Sequence, residues 1–364
     1  MTNDADEWSI GSSTWRPGDA GPLQTTVLFI DLVGSTDLAS AVGLEEYARF
    51  SEAFHETCIE QCRHFFEVHR KHKLAHDGRH YRVEVTGDEM VVFLHTDRPH
   101  DDVYQLICLA ISLKCAWLGV PLNAERIASG RPSHELAAGI HSGPVWAART
   151  AGGFNLCGFA INLAKRVESS SRLGSRFRIF VSDPAFKLVN RRMRNLIFTA
   201  RRMLELKGVP TPIGVYEVAE SFVDPTRRLA PPFHKRFLEV ATHALRADTF
   251  DLWIHSCFQV GAAAGDQPVT DDAMELCQQV LNIDPTNAVA LFYAAEGHQG
   301  LGDLETAQLH LEDLVRFWPM LGDGWLALGR LLKEMGEPSA ARRCLLQARR
   351  QGVRESEEPL PPEA

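Results

Sequence analysis

No stretch of this chain is both long enough and apolar enough to span a bilayer. The most apolar run, Leu106 to Val120, is interrupted by Lys114 and falls short of the roughly 20 residues a membrane helix needs. Positive charge is also in short supply. Lys and Arg number 38 against 47 Asp and Glu, for a formal net charge of −9, which argues against a nucleic-acid partner. The eight cysteines lack the spacing of a disulfide framework, so a reducing, cytoplasmic setting is expected. Residues Met1 to Trp8 are polar and acidic, without the basic-then-apolar layout of a signal peptide. Neither a membrane nor a nucleic acid is therefore expected as a partner. What is there is an ordinary globular composition, 45% hydrophobic and 23% charged over 364 residues, enough for two or three domains.

The chain is organised around Thr25-Thr26-Val27-Leu28-Phe29-Ile30-Asp31-Leu32-Val33-Gly34-Ser35-Thr36. Its apolar, β-branched first half reads as a buried strand. The strand ends in the Asp31 carboxylate, and a Gly-Ser-Thr turn leads into a helical pattern. Successive N–H groups over Val33, Gly34, Ser35 and Thr36 can form an anion nest, reinforced by the positive end of the helix. A carboxylate beside such a nest is where Mg²⁺ would bridge protein and nucleotide. Taken alone, the stretch also reads as an Asp that starts a turn and a Ser or Thr that caps a helix.

Residues 1–22 show no periodicity and read as a flexible arm. A long helix is expected from Asp37 to about His69. Its His55, Cys58 and Cys62 share one face; without a clear fourth ligand they read as packing rather than as a zinc site. The segment Val68 to His80 is dense in His, Lys and Arg and reads as a solvated loop or hairpin, or as a basic lid over a triphosphate. Tyr81–Val85 and Met90–Leu94 read as a hairpin with Asp88 at its tip. Asp101–Leu118 reads as an apolar helix, and Glu135–Ala148 as a strand pair containing Gly139-Ile140-His141-Ser142-Gly143. Ala160 to Glu168 opens a helix on which Asn162 and Arg166, four apart, share a face. Phe177–Val181 and Gly214–Val218 are further strands. Elements in this order predict an α/β sandwich on a largely antiparallel sheet.

Residues 221–236, with three prolines, read as a linker. Beyond them Pro285 and Pro319, Gly302 and Gly336, and Ala273, Ala307 and Ala341 all recur at a step of 34. Trp325-Leu326-Ala327-Leu328-Gly329 supplies the W-x-x-L-G signature of tetratricopeptide-like helical repeats, expected over 237–352. Two repeats are clear, and Phe237–Val260 reads as a degenerate third. So short an array is expected to pack on the first domain, on a second copy, or on a protein partner. Residues 353–364 are acidic and proline-rich and are expected to be disordered.

In this fixed order, Phe29-Ile30-Asp31-Leu32-Val33-Gly34-Ser35-Thr36, Thr86-Gly87-Asp88, Gly139-Ile140-His141-Ser142-Gly143, and Asn162 with Arg166 resemble the catalytic domain of the class III adenylate and guanylate cyclases. The resemblance covers residues 23–220. It implies an α+β fold, a ferredoxin-like βαββαβ sandwich, here followed by an all-α helical-repeat domain. It also implies a head-to-tail homodimer with two sites at the interface. In the implied reaction a ribose 3′-hydroxyl attacks the α-phosphate of a nucleoside triphosphate and expels pyrophosphate, leaving a 3′,5′-cyclic nucleotide. Displacement at phosphorus favours two metal ions, Mg²⁺ or Mn²⁺, which Asp31 and Asp88 suit, with the Leu32 carbonyl as a family-implied third ligand. Arg166 can meet the charge growing on the phosphoryl oxygens, and by analogy Asn162 orients the ribose. The family takes the aspartates from one subunit and the Asn–Arg pair from the other; this chain carries both.

The sequence departs from the family in places. Pro144 stands where an Arg often follows the His-Ser-Gly segment. Of two lysines expected after the late strand only Lys207 is present, with Val209 at the second place. Adenylate cyclases carry a base-reading Lys four residues before the second metal aspartate, paired with an Asp seven before the Asn; here these are Glu84 and Asn155. An ionised Glu only accepts hydrogen bonds, so it suits the N–H donors of guanine or uracil and opposes adenine and cytosine. Glu84 also reads simply as a member of a surface salt bridge. The helical extension resembles that of bacterial anti-phage pyrimidine cyclases, which places UTP ahead of GTP, and GTP ahead of ATP. A nucleotide-binding signalling scaffold without turnover is the non-enzymatic alternative.

Overall fold

A computed structural model of the protein describes residues 21–71, 80–96, 98–150, 153–189, 196–222, 228–241, 269 and 271–353. The expected N-terminal arm up to residue 20, most of the basic segment before His80, residues 242–260 of the degenerate repeat and the tail from 354 lie outside them. The described residues form two compact units: one of residues 21–189, 200–217 and 228–241, the other of 196–199, 218–222, 269 and 271–353.

In the first unit β1 (Gly21–Leu32) is buried from Thr25 onward. It lies between β3 (Glu89–His95) and β4 (Leu136–Thr150), antiparallel to both. With β2 (His80–Thr86), β6 (Ile179–Ser182) and β9 (Ile213–Ser221), the sheet order is β2-β3-β1-β4-β6-β9; β7 (Leu196–Phe198), in the second unit, pairs with Val218–Ser221 of β9. β5 (Gly153–Cys157) pairs with β4, and β8 (Arg202–Leu204) with β9. Only β4–β6 is parallel among these pairings. The βαββαβ order and mixed α+β architecture are those expected.

Two local expectations change. Glu135–Ala148 is not a strand pair but part of one strand, β4, whose hairpin partner is β5. The glycines of this stretch serve packing. A Cβ at Gly139 would lie 2.1 Å from the Glu168 backbone nitrogen, and one at Gly143 3.0 Å from Ala160 Cβ. They let α5 (Phe159–Ser171) lie directly on β4. The long first helix is two, α1 (Ser35–Val42) and α2 (Leu44–Lys71), separated by Gly43 at φ 81, where a side chain would be strained.

Val27 and Phe29 cluster with Val91, Phe93, Val145 and, from α5, Ala160 and Ala164. Alternation along the strand then turns Asp31 toward the same α5 face. The intervening Leu28, Ile30 and Leu32 are buried on the other side, where α3 (Pro99–Leu118) packs. Lys114, which interrupts the apolar run, is buried; it pairs with Glu135 and donates to the Leu136 carbonyl. Among the described residues no single helix is long and apolar enough to cross a membrane; α3 and α4 (Pro121–Ala128) meet both conditions only as a pair, bent by 67°. After α6 (Asp183–Val189), α7 (Pro231–Ala241) returns to α3 and α4. The Gln61 side chain holds that return, donating to Arg228 O at 2.6 Å and accepting from Ala230 N at 2.9 Å.

The second unit contains α8 (Asp271–Ile283), α9 (Ala288–Gly300), α10 (Leu304–Phe317), α11 (Gly322–Glu334) and α12 (Pro338–Arg350), each packed on the next. Ala273, Ala307 and Ala341, the 34-step alanines, are fully buried, and Gly302 and Gly336 adopt left-handed φ of 79 and 80. The Glu220 carboxylate accepts from Ala288 N and Val289 N at the start of α9, as suits a negative charge at a helix N-terminus.

Candidate active site

Asp31 and Asp88 stand at adjoining strand ends. Asp31 is the last β1 residue paired to β3, opposite Glu89, and the next residue, Leu32, donates its N–H to the Asp88 carbonyl at 3.2 Å. Gly87, at φ 63, makes the tight turn before Asp88. That turn is braced from α2: the His55 ring nitrogen lies 2.6 Å from the Gly87 carbonyl oxygen. Cys58 and Cys62 are in the core, so the His-Cys-Cys face packs, as expected, and His55 props the hairpin. Tyr47 on α2 has its phenol pKa raised, first by burial and then by the charges of Asp88 and Asp31.

On the α5 side the carboxylates of Asp31, Glu89 and Glu168 converge, with one oxygen from each within 4.8 Å of the others. Lys165 joins all three, at 3.1 Å from Asp31, 2.8 Å from Glu168, and in contact with Glu89. Arg172 lies 2.7 Å from Asp31 and 3.5 Å from Glu168. Burial pushes the Glu168 carboxyl above its ordinary range; Asp31 adds to this and Lys165 and Arg172 work against it. Lys165 is held above its ordinary range because its bonds to Glu168 and Glu89 outweigh the burial that would lower it. Sequence reasoning assigned no role to Lys165, Glu168, Arg172 or Glu89. The signal was there: Lys165, Glu168 and Arg172 recur at i, i+3 and i+7 on one helix face with alternating charge.

The donor set fits a hard divalent cation. Asp31 Oδ1 and Glu168 Oε1 are buried without a hydrogen-bond partner; the Arg172 approach to Glu168 is an ion pair too long for one. Carboxylate oxygens are the ligands Mg²⁺ and Mn²⁺ prefer.

The remaining candidates fall elsewhere. Asn162 is exposed and Arg166 half-buried on α5, about a quarter-turn from the Lys165 face by helical geometry. No hydrogen bond or ion pair joins either of them to Asp31 within the chain. The Arg166 guanidinium instead lies by the turn after Lys207, 3.7 Å from where a Gly208 Cβ would be; Lys207 is exposed. Of the nest residues, Val33 already donates its N–H to Glu135 O at 2.9 Å, which leaves Gly34, Ser35 and Thr36. Gly34 has φ 73, open space beside its Cα, and no side chain caps α1. Glu84 on β2 is ion-paired to Arg82. Asn155 is exposed on β5 opposite Ala148, and no contact joins it to Glu84.

The profile of the adenylate and guanylate cyclase catalytic domain matches residues 22–220. The chain belongs to this cyclase family. It is a class III nucleotidyl cyclase, of a family that depends on divalent metal. Among solved structures, the cyclase is similar to the adenylyl cyclase CyaB of P. aeruginosa, with 17% identity over 56% of this chain and 97% of that one and a TM-score of 0.41. It is similar to the guanylyl cyclase Cya2, with 21% identity over 56% and 95% and a TM-score of 0.41. It is also similar to the guanylate cyclase domain of RhGC from Catenaria anguillulae, solved with GTP, with 19% identity over 56% and 100% and a TM-score of 0.37. No curated protein sequence matches the chain.

Proposed function

We propose that this cyclase converts UTP to 3′,5′-cyclic UMP and pyrophosphate at two equivalent sites of a head-to-tail homodimer. The observation that carries the catalytic part is the buried, unpartnered Oδ1 of Asp31 at the strand end beside Asp88. Asp31, Asp88 and the Leu32 carbonyl would hold Mg²⁺ or Mn²⁺. When bound, the ions supply charge neutralisation for the departing pyrophosphate and a more acidic 3′-hydroxyl. The free N–H groups of Gly34, Ser35 and Thr36 receive phosphate oxygens. Arg166 of the second copy meets the charge on the α-phosphoryl oxygens, Asn162 orients the ribose, and Lys207 neighbours the polyphosphate.

Homodimer formation is supported by how α5 is divided. One face closes over its own subunit's carboxylates through Lys165, Glu168 and Arg172. The adjacent face carries Asn162 and Arg166, and among the described residues no hydrogen bond or ion pair joins them to Asp31. Glu84 and Asn155 are not joined within the described residues, and in this reading they would meet across two copies. Glu84 supports uracil because it accepts at N3–H. Its partner Arg82 already claims one carboxylate oxygen, which suits the single ring donor of uracil better than the paired donors of guanine.

We take the buried 34-step alanines and left-handed glycines of α8 to α12 as tetratricopeptide-like repeats with a docking role toward a protein partner. Cytoplasmic anti-phage signalling is the setting we assign to the product. The test is to incubate the full chain with each of the four ribonucleoside triphosphates and Mn²⁺ and weigh the products. Cyclic UMP is expected, and Asp31→Ala and Asp88→Ala should each abolish it. Cyclic GMP as main product makes this a guanylate cyclase. Absence of product from all four favours the nucleotide-binding scaffold.

A further inference from the structure

Among the described residues, Lys165 alone ion-pairs with Asp31, Glu89 and Glu168 together. These three carboxylates, with oxygens within 4.8 Å of one another, would repel strongly if left bare. The ammonium therefore lies where a divalent cation would be drawn, on the strand-end carboxylate that our reading of the site makes a metal ligand. We propose that Lys165 is a tethered counter-cation, filling the Asp31–Glu89–Glu168 cluster in the metal-free chain and withdrawing when a divalent ion enters.

The two cations cannot share Asp31 comfortably. A Mg²⁺ or Mn²⁺ ion needs carboxylate oxygens at roughly 2.0–2.2 Å, and the ammonium sits 3.1 Å from Asp31 Oδ2. Like charges that close, in a site where Asp31 is 7% and Glu168 0% exposed, are poorly screened. Arg172 stays on Asp31 and Glu168 as a second, fixed positive charge. Exposure does not separate the two side chains, at 35% and 37%. Lys165 is the one able to leave, because its ammonium is a point charge on a flexible four-carbon stem, whereas the planar Arg172 fork spans two carboxylates. Once released, its ammonium can pair with substrate polyphosphate. The chain alone should then bind metal weakly, and metal and nucleotide should enter together.

The test is Mn²⁺ binding to the full chain without nucleotide, followed by electron paramagnetic resonance of the free ion and by the Mn²⁺-induced change in melting temperature. Lys165→Met should bind Mn²⁺ at least tenfold more tightly than wild type. It should melt lower without metal and gain more from Mn²⁺. Lys165→Gln keeps a donor while removing the charge; it should tighten binding likewise and guards against loss of fold. Lys165→Arg should bind as wild type. A purely structural lysine would lower the melting temperature without tightening the metal, and unchanged or weaker binding in both neutral variants overturns the proposal. Asp31→Asn is the control for the underlying reading. If it binds Mn²⁺ as wild type does, Asp31 is not a ligand, whatever Lys165 does.

Discussion

Asp31 on β1 and Lys165 on α5 meet at 3.1 Å across 134 residues of sequence. The contact joins the strand that carries the proposed metal carboxylate to the helix that carries Asn162 and Arg166. One subunit therefore fixes the orientation of α5 with its own aspartate. In the proposed dimer the Asn–Arg face of that helix is left for a second copy.

Complementation tests that division of labour. Asp31→Ala and Arg166→Ala should each be inactive alone. If the two halves of a site come from different copies, a mixed dimer has one site lacking both groups and one intact. With random exchange of subunits, about a quarter of wild-type activity should return. Release of cyclic nucleotide measured after mixing checks this, and a mixture as inactive as its parents would mean that both groups serve one chain's site.

Packing of α5 on the sheet is equally testable. At Gly139 an added Cβ would meet the Glu168 backbone at 2.1 to 2.5 Å. Backbone cannot rotate aside as a side-chain tip can, so Gly139→Ala must push α5 away from β4. We expect a loss of about 3 kcal/mol, at the upper end for overpacking, read from urea unfolding of the full chain. Stability within about 0.5 kcal/mol of wild type, the range of a neutral surface change, would show that α5 does not lie so close.

How far the sequence reveals this site depends on the kind of signal. Strand alternation and turn residues are local, so β1, the Gly87–Asp88 turn and the Asn162–Arg166 helix face could be read directly. The meeting of Glu89, Lys165, Glu168 and Arg172 with Asp31 depends on α5 crossing β1 on the face that Val27 and Phe29 define. No local pattern in either segment states that crossing. The role of Gly139 and Gly143 is hidden for the same reason. Their small size is required by a helix that passes over them. The break at Gly43 was missed because the apolar pattern continues on both sides of it.

His141 predicts a pH dependence of stability. Its ring is buried with Nδ1 2.8 Å from Ser182 Oγ, and burial pushes its pKa from 6.5 down to about 4. Below pH 6.5 the unfolded chain binds a proton that the folded chain refuses until about pH 4. Stability is thus fully present above the unfolded value and falls as the pH drops through this window. The loss attributable to this group is about 3 kcal/mol. His134, also lowered to about 4 by burial and then by Arg126 and Arg131, adds a smaller share because it is less enclosed. His141→Gln should therefore lose distinctly less stability between pH 6.5 and 4 in urea unfolding. An unchanged slope would mean that the folded protein already accommodates a charged imidazole there.

In the proposed reading the base preference turns on Glu84 and its neighbour. Arg82 and Glu84 are two apart on one face of β2, and Arg82 Nε donates to Glu84 Oε1. The pairing occupies Oε1 and leaves Oε2 for a base edge. Glu84→Lys would set two cations side by side, so loss of activity there would mix repulsion with misreading. Glu84→Gln is the cleaner probe: it keeps the shape, removes the charge and offers a donor as well as an acceptor. One lost charge-assisted bond to a base N–H is worth about 1.5–3 kcal/mol. Use of UTP and GTP in kcat/KM should then fall about tenfold or more, with ATP and CTP little changed. Arg82→Ala should leave the order of substrates intact and raise KM, since it frees Glu84 to wander without altering what it accepts. If ATP is the best substrate of the wild-type chain, or if Glu84→Gln leaves the preference untouched, the Arg82–Glu84 pair is a surface salt bridge and the base is read elsewhere.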